Sequence, residues 1–303
     1  MRYAILHVLV ALVASPLFLS LINRTKAFFG GRKGPSLFQP YYDLGKLLQK
    51  GAVYSRTTSW IFRAAPPVEL AAVLAALLVT PLGGVSALLA FPGDLVFLAY
   101  SLGLMRFFMV AAALDTGSAF EGMGASREVQ FSALAEVALL VGLAAAAADV
   151  RSPSLSAICR DAWAAGPLWD GGATLLLVSA SLLVVFLSEN ARIPVDDPTT
   201  HLELTMIHEV MVLDHGGPDL ALIEYASALK IWVLGCLLVS LALPFRAAAP
   251  FANLAAGLAG LAVLAVVVGV IESTMARLRL LRVPQLLVGA GVLSFLALFN
   301  VMR

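Results

Sequence analysis

Residues 254–271 read LAAGLAGLAVLAVVVGVI, an apolar run without a single charged side chain. A helix needs roughly 20 mostly apolar residues to cross the hydrocarbon core of a bilayer, and this run with its flanks is long enough. Ala71–Thr80, Ala173–Leu187 and Ile231–Leu243 repeat the pattern. So many uninterrupted apolar stretches leave no room for a soluble core. The composition of the 303-residue chain agrees, with 60% hydrophobic and 13% charged residues and a mean hydropathy of +0.92. The sequence is that of an all-α polytopic membrane protein forming a single transmembrane domain, because lipid requires each spanning segment to satisfy its own backbone.

Working outward from that run, we place about eight spans near residues 3–22, 64–82, 95–114, 131–149, 172–188, 220–243, 252–275 and 284–301. Residues 83–94 are too short and too broken by glycine to cross. The first span ends in basic residues and lacks a small-residue cleavage site, so it reads as retained rather than as a signal peptide. Of the 20 Lys and Arg, thirteen lie in one set of loops and five on the other side, with Arg106 and Lys230 inside spans. The positive-inside bias puts the thirteen in the cytoplasm and both termini outside, on the same side. Cys159 and Cys236 make neither a metal cluster nor a disulfide framework.

The cytoplasmic loops carry most of the chemistry. In residues 39–48, QPYYDLGKLL, the apolar Tyr41, Leu44, Leu47 and Leu48 recur at helical spacing, while Asp43 and Lys46 take other faces. That pattern predicts an amphipathic helix on the membrane surface, although the loop could instead only fix topology. Upstream, GGRKGP fixes a turn that presents Arg32 and Lys33; it is no phosphate loop, since GxxxxGK[ST] is absent. The second loop, 115–130, holds Asp115, Glu121, Arg127 and Glu128. The third, 189–219, is dense in ionisable groups, and Thr199–Val212 reads as a helix. His201 and His208 would then share a face about 10.5 Å apart, too far for one metal ion whose ligands lie near 2 Å.

Charges at membrane depth are costly and normally face protein or water. Glu69, Arg106, Glu136, Glu224, Lys230 and Glu272 fall inside the spans, with Asp115 and Glu189 at the cytoplasmic edge. Glu69 falls about one turn from that edge, so its loss is expected to be mild. Glu224 and Lys230 are separated by about 120° around one helix and should look toward different partners. Acids in excess over five spans suit a proton relay, although structural pairing would explain any one of them.

The stretches GRKGPS, QPYYDLGKLL, SWIFRAAP, RFFMVAAALDTGS, GASREVQ, ENARIPVDDPTTHLELTMIHE and ESTMARLRL together resemble the membrane subunit of energy-converting nickel–iron hydrogenases of the hydrogenase-4 and formate hydrogenlyase types. More distantly, the chain resembles subunit 1 of respiratory complex I. The resemblance implies about eight helices and no cofactor on this chain. Nickel–iron and iron–sulfur centres would lie in peripheral hydrogenase-like large and small subunits, beside antiporter-like membrane subunits. It also implies acids at Glu136 and Glu224, the hydrogenase-branch lysine at Lys230, and the loop-entry residues Glu189, Arg192 and Pro194. Thr199 and His201 stand where complex I relatives are often acidic, so the quinone site of those relatives does not transfer directly.

The resulting expectation is a non-catalytic membrane anchor and proton-relay subunit of a multisubunit oxidoreductase, embedded in lipid and without nucleic-acid partners. Asp115, Glu121, Glu136, Glu189, Glu224, Lys230 and Glu272 would carry the relay. Arg24, Arg32, Lys33, Gly34, Pro35, Tyr41, Asp43, Arg127, Arg192 and Asp196 would form the docking loops. The alternatives are a quinone-site subunit of a complex I-like dehydrogenase, a passive structural anchor, and a stand-alone secondary transporter, for which the chain lacks the expected internal repeat.

Overall fold

The computed structural model describes residues 1–161, 172–196, 206–243, 247 and 249–303. Its α-helices are α1 (Arg2–Phe29), α2 (Gln39–Leu48), α3 (Trp60–Val79), α4 (Asp94–Asp115), α5 (Ala119–Val150), α6 (Leu155–Asp161), α7 (Gly172–Glu189), α8 (Pro218–Ala242), α9 (Pro250–Thr274) and α10 (Val283–Met302). All but α2 and α6 are long and apolar enough to span a bilayer, which gives the eight spans. With eight spans, both termini lie on one face and the four basic loops on the other.

α8 is the central stave. Its apolar stretch is 78% buried, against 28% for the last span, because it packs against α1, α2, α3, α7 and α9. Lys230 and Ser240 on α8 therefore face protein, not lipid. α1 pairs with α9, and Gly269 permits it: a Cβ there would lie 2.6 Å from the Cβ of Thr25. Small residues at such crossings let two backbones approach without lipid between them.

α1 also shows how a proline is accommodated in mid-membrane. Pro16 has no N–H, so the carbonyl four residues back loses its helical donor. The Tyr225 hydroxyl on α8 donates to that Leu12 carbonyl at 2.8 Å, and the Tyr41 hydroxyl on α2 donates to the neighbouring Val13 carbonyl. α2 itself buries no residue completely and rests on α1 and α8. It is the amphipathic surface helix of the first loop, opened by Pro40 in its first turn.

Three boundaries differ from the sequence reading. α3 starts at Trp60 rather than 64, because the Ser59 hydroxyl accepts from the Ile61 N–H at 3.2 Å and caps it. Glu69 thus sits about 14 Å along the axis from Trp60, in the middle of the span and not one turn from its edge. α5 starts at Ala119 rather than 131, shrinking the second loop to a turn at Gly117, whose φ is +71°. Good helix formers and Glu121 in the first turn continue the helix beyond its apolar part. The expected helix Thr199–Val212 falls partly outside the described residues. Within its described part, only Glu209–Val212 is helical, and as one 3-10 turn.

Candidate functional site: a buried ion-pair network and its cavity

The side chains at membrane depth converge from four helices. Arg106 of α4 is the hub. Its Nη2 lies 2.6 Å from Glu189 Oε1, its Nη1 3.4 Å from Glu136 Oε2, and its Nε 3.7 Å from Glu128 Oε1. Lys230 of α8 reaches the other oxygen of Glu189 at 3.3 Å. Three carboxylates therefore face two cations. With every group ionised the set carries one net negative charge, so it can take up one proton and become neutral. That surplus distinguishes it from a closed structural pair.

A second cluster lies nearer the basic loops. Glu272 of α9 is bound by Lys26 of α1 at 2.8 Å and by Arg192 at 3.5 Å. Asp196 pairs with Arg277 at 2.8 Å, and its Oδ2 accepts from the Ile207 and His208 N–H groups at 3.0 and 3.4 Å. Arg127 donates to the Met206 carbonyl at 2.8 Å. The third loop is thus pinned onto the mouth of the bundle by charges. Gly124 on α5 allows the close fit, since a Cβ there would come within 2.3 Å of Val210 Cγ1.

A cavity of about 350 Å³ opens between α1, α2 and α8 and ends on both clusters. Pro16, Leu19, Ile223 and Ile231 give it apolar walls, while Asp43, Glu224 and Ser227 line it as polar groups. Glu189, Arg192, His208 and Lys230 lie at its inner end. Burial, with the Lys230 charge behind it, holds the His208 imidazole well below the usual histidine range. It is therefore neutral at pH 7 and can accept or donate a hydrogen bond without adding charge.

The residues expected in the relay divide into three groups. Glu136, Glu189 and Lys230 share one network, and Glu224 lines the cavity that reaches it. Glu272 belongs to the second cluster. Asp115 and Glu121 stand apart: Asp115 Oδ2 accepts from the Ser59 N–H at 2.6 Å, and Glu121 accepts from the Asp214 N–H at 3.1 Å and from the Thr116 hydroxyl. These two join helix ends to loops.

Among the docking candidates, Arg24, Arg32, Lys33, Gly34 and Pro35 are exposed. Their turn is closed by the Arg32 N–H donating to the Ala27 carbonyl at 2.9 Å. Tyr41 and Asp43 lie on α2, where Asp43 accepts from Gln39 at 2.9 Å. Arg192 and Asp196 are buried and turned inward, so their charges are spent on Glu272 and Arg277 and not on solvent. Reasoning from sequence passed over Arg106, Glu128, Asp196–Arg277 and His208 as network members. The available signal was Arg106 itself, one base amid the apolar residues of its span. His201 lies outside the described residues.

Eight spans around a buried ion-pair network, closed by a charged loop, define a polytopic membrane protein. The family follows from the whole chain. The family model described as NADH dehydrogenase matches residues 2–302, and the chain belongs to that family. It is 30% identical over 285 residues to hydrogenase-4 component C of Escherichia coli (strain K12), covering 92% of this chain and 89% of that protein. It is 29% identical over 306 residues to formate hydrogenlyase subunit 4 of the same organism, covering 99% and 98%. A chain of the membrane-bound sulfane sulfur reductase, an archaeal respiratory membrane complex, has the same fold, with a TM-score of 0.84 at 19% identity over 98% of both chains.

Proposed function

We propose that this chain is the membrane anchor and proton-relay subunit of a membrane-bound oxidoreductase, without a redox centre of its own. It would couple a peripheral hydrogenase-like arm, bearing nickel–iron and iron–sulfur centres, to antiporter-like ion-translocating subunits. The observation that carries this reading is the Arg106–Glu189–Lys230 network with its odd carboxylate, reached by a cavity from the loop face. The names of the two E. coli relatives support the hydrogenase-like partners. The charge bias supports a cytoplasmic basic face, with both termini in the periplasm of a prokaryotic inner membrane. A cysteine introduced at Lys33 should then label only from the cytoplasmic side.

In this mechanism a shift of the third loop moves Arg192, Asp196 and His208 together. Pulling Arg192 from Glu272 changes the field at the inner end of the cavity. Glu189 is shared between two cations, so a weakened contact to Lys230 leaves it held by Arg106 while the lysine is freed. The freed Lys230 ammonium would give its proton toward Glu136, whose side chain is 35% exposed, and a proton entering at Glu224 or His208 would then restore the ammonium. Lys230→Met and Glu224→Gln, assembled into the complex, should lower ion movement per redox turnover in sealed vesicles. Wild-type coupling in both would remove the relay.

The cavity favours a second reading, a site for a quinone-like amphiphile whose polar head meets Lys230 and His208 between apolar walls. Competition between a quinone analogue and turnover separates the two readings. Inhibition abolished by Ser227→Phe, which fills the cavity, would favour the quinone site, and indifference would leave the relay.

A further inference from the structure

The acids of the network are all held by cations, and Glu69 is not. Its side chain lies in the middle of α3 and is 1% exposed. Neither carboxyl oxygen has a hydrogen-bond partner among the described residues. α3 packs along α4 and α8, and Lys230 of α8 is within electrostatic reach of the carboxyl. A charged acid at such depth is costly, whereas leucine at this place would cost nothing. Buried polar side chains in native structures normally have partners, so one without calls for an explanation.

We propose that Glu69 is a proton-holding position of this chain that exchanges its proton with Lys230 across the α3–α8 contact. This rests on the relay reading and extends it to a third helix face. The step is a net transfer of one proton, made when the Lys230 side chain leaves Glu189 and turns to Glu69, whose oxygens it does not touch at rest. The N–H bond of the Lys230 ammonium breaks, an O–H bond forms on the Glu69 carboxylate, and a neutral amine and a neutral acid remain. Both charges disappear together, which suits a low-dielectric interior. Glu189 does not lose its counterion meanwhile, because Arg106 holds its other oxygen at 2.6 Å. The reverse transfer restores the ammonium beside Glu189. Glu69 therefore offers Lys230 an alternative to returning its proton to the network from which it came.

The test uses the intact complex in sealed vesicles, with E69Q and E69D. Redox-triggered infrared difference spectra of the wild type should contain the carbonyl stretch of a protonated acid that disappears in E69Q and shifts in E69D. Ion movement per turnover should be lost in E69Q and retained in E69D, which is a stronger effect than a site near the membrane edge would give. Normal coupling in E69Q, or an acid band unchanged by it, overturns the proposal. If E69Q fails to assemble, E69D decides: a shifted band supports the proposal and an unchanged one overturns it. Loss of coupling in Lys230→Met beside normal coupling in E69Q sinks this inference alone. Normal coupling in both sinks the relay with it.

Discussion

Replacing Arg106 by methionine should be the most destabilising single change in the membrane interior. The guanidinium holds three carboxylates at 2.6, 3.4 and 3.7 Å, and its own side chain is 13% exposed. Removing one partner of a buried ion pair costs about 3–5 kcal/mol, because the remaining charge is left uncompensated. Here Lys230 still serves Glu189, and Glu136 is one-third exposed, so Glu128 bears most of the loss. The low end, about 3 kcal/mol, applies. That is roughly a hundredfold change in the folding equilibrium. Glu136→Gln leaves Arg106 two other acids and should cost less than about 1 kcal/mol, as partly exposed pairs do. The double variant Arg106→Met with Glu128→Gln should recover part of the loss, since the orphaned charge is gone. Denaturing-detergent titration of the purified complex, followed by tryptophan fluorescence, measures all four proteins. Equal stability of Arg106→Met and Glu136→Gln, or no recovery in the double variant, would refute the network as described.

The remaining predictions concern the scaffold and the loops. Tyr225→Phe strips the donor from the Leu12 carbonyl that Pro16 leaves free and should cost about 1 kcal/mol; in a Pro16→Ala background, where a backbone N–H returns, the same change should cost less in the same titration. His208 has a folded-state pKa below its unfolded value, so the unfolded chain binds more protons as pH falls through the usual histidine range. Stability should be full above that range and decline on its acid side. His208→Gln should flatten this part of the pH–stability curve, and an unaltered slope would assign it elsewhere. Reversing the charges of Arg32 and Lys33, exposed in their turn, should release the peripheral arm from washed membranes; an arm that stays bound and active would show that docking lies elsewhere.

How far the sequence spoke for the structure differs by element. The spans were legible because their apolar runs are long and nearly charge-free, and α2 because its apolar positions repeat at helical spacing. The start of α5 was not, since GSAFEGMGASRE looks like a glycine-rich loop. The reason for Gly124 is the close approach of Val210 from a distant segment, which no local pattern records. The same limit governs the site. Glu136, Glu189 and Lys230 stand out as charges in apolar surroundings, yet their meeting at Arg106 depends on the packing of α4, α5, α7 and α8. Asp115, at the end of an apolar run, shares that sequence signature, but its carboxylate accepts from the Ser59 N–H and fastens a helix end. Glu69 illustrates the converse, since a cap at Ser59 moved its depth and thereby its meaning.

The central claim is that the buried network moves protons and does not merely pack. Glu136→Gln tests it most directly, because the change keeps shape, should leave the complex assembled, and removes one titratable acid beside Arg106. Redox turnover and ion movement are measured together in sealed vesicles containing the assembled complex. The account predicts turnover with ion movement lost or strongly reduced. Wild-type ion movement per turnover in an assembled Glu136→Gln complex would contradict it and leave the chain a passive anchor.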